Sequence, residues 1–128
     1  MLIPLDNIKQ VYQHLIEKAI ESDSEGTSIY LLVSNDTDSL CAAKLLTSLL
    51  KKDHVLHTCV PVFSNSHLLS ELAKLESLSC LRSLVFINCG GSINLTTQKF
   101  YTRQESNVTA YLFDSHRPFH HCNINDEK

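Results

Sequence analysis

Short, nearly unbroken apolar runs that end abruptly in polar clusters constrain this chain more than any other feature of its sequence. Ile29-Tyr30-Leu31-Leu32-Val33 runs into Ser34-Asn35-Asp36-Thr37-Asp38, Leu84-Val85-Phe86-Ile87 into Asn88-Cys89-Gly90-Gly91, and Val108 to Phe113 into Asp114. Runs of this length without polar alternation suit strands covered on both faces, and a strand covered on both faces belongs to a layered sheet. A further strand reads from His54 to Val62, where Pro61, lacking a ladder N–H, belongs at an end or an edge.

The segments between these runs carry helical spacing. Ile8, Val11, Tyr12, Leu15, Ile16 and Ala19 recur at three- and four-residue steps, and this helix should stop near Ser22 to Gly26. Leu40, Ala43, Leu46, Leu49 and Leu50 give a second helix, beginning near Ser39 and stopping at Lys51-Lys52-Asp53. Leu68, Leu69, Leu72, Leu75 and Leu78 give a third, capped by Asn65 or Ser66. A short helix over Leu95 to Phe100 is weakly patterned, and Asn123 to Lys128 reads as a polar tail. Strands alternating with helices imply an α/β fold with a mostly parallel, doubly wound sheet, in one domain over residues 1–122 with the tail at 123–128.

Composition narrows the function classes. Fourteen acidic against eleven basic side chains leave a formal net charge of −3, which disfavours nonspecific binding to nucleic acid because neutralising phosphates needs a basic face. Four Tyr, five Phe and no Trp leave little for base stacking. No apolar run approaches the ~20 residues that cross a bilayer, and no basic flank with an apolar segment opens the chain, so a soluble, unsecreted protein is expected. The cysteines, Cys41, Cys59, Cys80, Cys89 and Cys122, are odd in number and form no C-x-x-C pair, which suits a reducing compartment, cytosol or nucleus. The sequons beginning at Asn35, Asn94 and Asn107 are then idle.

In doubly wound sheets ligands sit beyond the carboxyl ends of the strands. The polar clusters after the apolar runs should therefore converge on one rim. Asp36 and Asp38 lie two apart, so an extended backbone would turn both to one side, where they could share a divalent cation with Asp114 and His116. Two such ions could clamp a phosphoryl group and activate water. The structural alternative is that Asp36 or Asp38 caps the helix beginning near Ser39. His116, His120, His121 and Cys122 also cluster, but without the upstream cysteine pair of a zinc finger they read as exposed imidazoles in a loop. Gly90-Gly91 lacks a following G-K-[ST] and reads as a turn, and Lys44, Lys51 and Lys52 read as a solvated face.

S-N-D-T-D-S-L-C-A-A-K-L-L at Ser34 to Leu46, F-I-N-C-G-G at Phe86 to Gly91 and Y-L-F-D-S-H-R-P-F at Tyr111 to Phe119 resemble the N-terminal region of the cell division control protein 45 family. That family is similar to RecJ-type phosphoesterases of the DHH superfamily. The resemblance spans Ile29 to Ile124 in the right order and spacing. It implies a DHH phosphoesterase-like fold, and a longer protein with a second, DHH-associated domain that closes the cleft, of which this chain is either an excised N-terminal part or a short relative.

By resemblance, Asp36 and Asp38 match the paired metal-binding aspartates of active relatives. Asn88 stands where those relatives carry an aspartate that bridges two metals. Asp114-Ser115-His116 stands in place of Asp-His-His, without the middle imidazole. A neutral amide for a carboxylate and a hydroxyl for an imidazole remove charge and ligands from a site built for two dications. The expectation is a vestigial metal rim, Asp36, Asp38, Asn88, Asp114 and His116, with no cofactor, no firmly bound metal and no catalysis. Arg117 could pair with Asp114 or Asp36 and supply the missing positive charge. The resemblance also implies a nuclear role in initiating DNA replication. The expected partners are the minichromosome-maintenance helicase ring and the GINS complex, with single-stranded DNA contacted by the full protein. The alternative is an active metal-dependent phosphoesterase or exonuclease.

Overall fold

The computed structural model describes residues 5–21, 29–75, 81–93 and 108–114. After a 3-10 turn at Leu5–Asn7 come α1 (Ile8–Glu21), β1 (Ile29–Ser34), α2 (Thr37–Lys52), β2 (His57–Val62), α3 (Asn65–Leu75), β3 (Ser83–Ile87) and β4 (Thr109–Phe113). The four strands form one sheet in the order β2-β1-β3-β4, and every pairing is parallel.

The apolar runs lie where their patterning requires. In β1 Ile29, Leu31, Leu32 and Val33 are buried, and β3 is buried along its whole length. Successive side chains take opposite faces. Ile29, Leu31 and Val33 join Val85, Ile87 and Tyr111 in one core cluster with Leu15 of α1 and Ala43 and Leu50 of α2. Leu32, Leu84 and Phe86 join a second cluster with Leu68, Leu72 and Leu75 of α3. Helices thus cover both faces, and the fold is α/β and doubly wound. Among the described residues no helix is long and apolar enough to cross a membrane.

Several boundaries differ from the sequence expectations. α2 begins at Thr37, two residues before Ser39, because Asp36 caps it. β2 begins at His57 and not His54, because His54 takes a left-handed conformation (φ 58°) and donates its N–H to the Lys51 carbonyl in the turn that ends α2. Among the described residues β2 is an edge strand, which accommodates Pro61. α3 is capped by Ser64, whose Oγ accepts the His67 N–H at 3.1 Å, and not by Asn65 or Ser66. Within α2, Ala43 and Leu50 are buried and Leu46 is half-buried, but Leu40 and Leu49 face outward. Leu78, the weak helix over Leu95 to Phe100 and the tail lie outside the described residues.

Candidate functional site

The strand order places the site before any side chain is considered. β1 connects through α2 to β2 on one side, whereas β3 is followed by β4 on the other, so the strand order reverses between β1 and β3. The carboxyl ends flanking such a reversal form the crevice where doubly wound folds bind ligands. Asp36 follows β1 and Asn88 follows β3.

Asp36 has an extended backbone (φ −137°, ψ 165°) and its side chain caps α2. Its Oδ1 accepts the Ser39 backbone N–H at 2.8 Å and the Ser39 hydroxyl at 2.7 Å. A carboxylate there satisfies a helix donor that would otherwise lack a partner, and it meets the positive end of the helix dipole. Asp36 is therefore the helix cap. Helix begins at Thr37, so the extended stretch that would have turned Asp36 and Asp38 to one side ends at Asp36. Asp38 lies in the first turn of α2 and is exposed.

Asn88 also has a left-handed backbone (φ 55°), which asparagine tolerates better than most residues. Its Nδ2 donates to Ser39 Oγ at 2.9 Å. The orientation of this amide follows from the network: the Ser39 hydroxyl gives its hydrogen to Asp36, so its lone pair must receive a donor. Asp36, Ser39 and Asn88 thus form one hydrogen-bonded bridge across the reversal. Ser39, fully buried, is the member that sequence reading noted only as a helix start. The Asp36-x-x-Ser39 spacing, that of an N-cap and its third helical residue, was the available signal.

The β4 end is held to the same rim. The Asn88 backbone N–H donates to the Phe113 carbonyl at 2.7 Å, and Asp114 Oδ2 accepts the Gly91 N–H at 3.1 Å. Gly90 makes this turn with φ 85°, and a Cβ there would lie 3.1 Å from Phe86 Cδ1. Beneath the rim the Cys89 thiol donates to the Leu32 carbonyl at 3.2 Å. Burial, aided by the Asp114 charge, pushes it up to about 12, so this thiol stays protonated and unreactive near neutral pH. Asp36, Asn88 and Asp114 therefore share one rim, whereas Asp38 is exposed in the first turn of α2. His116 and Arg117 lie outside the described residues. Among the described residues no three His, Cys, Asp or Glu side chains gather where a metal ion could be held.

A parallel sheet covered on both faces, with its polar rim at the strand-order reversal, makes this a doubly wound α/β domain. Residues 29–128 match the CDC45 family. The chain is 36% identical over 109 residues to the cell division control protein 45 homolog of Dictyostelium discoideum, covering 84% of this chain and 17% of that protein. It is 33% identical over 126 residues to the Schizosaccharomyces pombe homolog, covering 97% of this chain and 19% of that one. The crystal structure of CDC45 from Entamoeba histolytica superposes with a TM-score of 0.79 at 27% identity, over 98% of this chain and 24% of the other. The chain belongs to the CDC45 family, and it spans less than a fifth of the length of these two homologs.

Proposed function

We propose that this chain is a noncatalytic, pseudo-phosphoesterase domain of a nuclear DNA replication factor, serving protein interaction and not hydrolysis. The domain is residues 1–122, the N-terminal part of a longer protein. The observation that carries the reading is the bridge from Asp36 through Ser39 to Asn88. Asp36 Oδ1 is already occupied by two donors, and Asn88 gives Ser39 an N–H where a carboxylate would offer only lone pairs. That donor set does not fit a pair of dications, which needs several unengaged anionic oxygens around each ion. Asp36, Asp38, Asn88, Asp114 and His116 are on this reading a vestigial metal rim, three strand ends tied by hydrogen bonds where active relatives use metal.

Family membership supports a role in DNA replication. The partners we propose with it are the minichromosome-maintenance ring and the GINS complex, with single-stranded DNA contacted by the full protein. The test pairs calorimetric titration with Mn²⁺ and a hydrolysis assay on single-stranded DNA and a dinucleotide, with affinity capture of the two complexes by the full-length protein. The expected result is capture of both complexes, no metal binding beyond background and no hydrolysis. Metal-dependent hydrolysis that Asp36→Ala abolishes would establish the active phosphoesterase instead.

A further inference from the structure

α2 is apolar on two opposite sides, and the fold accounts for only one of them. Ser39, Ala43 and Leu50 face the sheet and are buried. On the far side Cys41, Leu45 and Leu49 recur every four residues and share one stripe. All three are exposed, Leu45 at 71% and Leu49 at 48%.

Charge identifies what would cover this stripe. From Ser39 to Lys52 the helix carries Lys44, Lys51 and Lys52 and no carboxylate, in a chain whose net charge is −3. The ion pairs found among the described residues join Glu71 to His67 and Lys74, and none engages these three lysines. Lys51 and Lys52 also suit the negative end of the helix dipole, whereas Lys44, midway along, has no such reason. Along the chain the carboxylates closest to this stretch stand at its two ends: Asp38 in the first turn, and Asp53, which accepts the Tyr12 hydroxyl.

We propose that the outward face of α2 docks an acidic amphipathic helix of a partner protein. Its apolar anchors would sit two turns apart against Leu45 and its neighbours, and its carboxylates would meet the lysines. A second copy of this chain is disfavoured because pairing two such faces would bring lysine against lysine. Nucleic acid is disfavoured because the centre of the face is aliphatic and offers no ring for stacking. The proposal stands apart from the chemistry of the rim.

The probe is a fluorescent synthetic helix of about 18 residues, with Leu at two-turn spacing and Glu on both flanks. It is titrated against the full-length protein by anisotropy, beside a counterpart with Lys for Glu. The expected result is saturable binding of the acidic helix only, weakened about ten-fold or more by Leu45→Ser/Leu49→Ser. Lys44→Gln/Lys51→Gln/Lys52→Gln should weaken it too and flatten its salt dependence. Absence of binding, or equal binding by the leucine variant, would overturn the proposal. So would a dimer by light scattering that the leucine variant dissolves, which would assign the face to a second copy. A lowered melting temperature of that variant would assign it to the remainder of the same polypeptide.

Discussion

One hydroxyl hydrogen organises the rim. Ser39 gives it to Asp36 and takes one from Asn88, so each neighbour's identity is set by the direction of the bond. Replacing Asp36 with Ala removes both the cap and the acceptor. A loss of about 1–2 kcal/mol in urea-denaturation stability is expected, with Asp36→Asn losing less because its carbonyl can still accept. Asn88→Asp is more informative. A carboxylate there would face the Ser39 oxygen with no hydrogen to share, so two anions would compete for one hydroxyl. A destabilisation of about 1–3 kcal/mol in chelator is expected, partly recovered by excess Mn²⁺ only in this variant. Equal stability of wild type and variant in chelator would contradict the assigned amide direction.

At the scale of elements, the interior is organised by β3 and its neighbours on both faces. Phe86, fully buried between the sheet and α3, is expected to cost about 3–5 kcal/mol on truncation to Ala. Ser83, at the start of the same strand, is buried with a hydroxyl that finds no hydrogen-bond partner among the described residues. Ser83→Ala should therefore be neutral or stabilising by up to about 1 kcal/mol, measured by the same denaturation. α1 is tied to β4 by His14 to the Tyr111 hydroxyl at 2.6 Å and by Lys18 to Thr109. Burial pushes Tyr111 up to about 12, as it does Cys89. A group raised on folding keeps its proton longer in the native state, so stability from both should be intact at neutral pH. It should fall as pH climbs through their ordinary values of 9 and 10 toward 12. Denaturation midpoints should decline above about pH 9, and less steeply in Cys89→Ala.

For the molecule as a whole, the layered fold was legible because its signals are short-range. An apolar run closed by a polar cluster marks a buried strand, and four-residue spacing marks a helix, whatever the tertiary partners. What escaped sequence reading depends on single backbone conformations. The left-handed turn at His54 shortened β2, and the cap at Asp36 moved the start of α2 and separated Asp38 from its expected partner. Spacing showed that α2 is a helix but not which side faces the sheet, since Leu40, Leu45 and Leu49 are as apolar as Leu50. The rim was legible as a set of strand ends, but Ser39 as its bridge was not, because a serine at a helix start has many ordinary uses. Asn88 could be read as the residue that removes a charge; that its amide closes a bond to Ser39 needed the fold.

The central claim is electrostatic: with an amide at Asn88 and one oxygen each of Asp36 and Asp114 held by hydrogen bonds, the rim offers too few anionic oxygens for two dications. Anomalous diffraction from crystals soaked in manganese tests it most directly. The account predicts no pair of adjacent peaks among Asp36, Asp38, Asn88 and Asp114. Two fully occupied neighbouring sites there would contradict it.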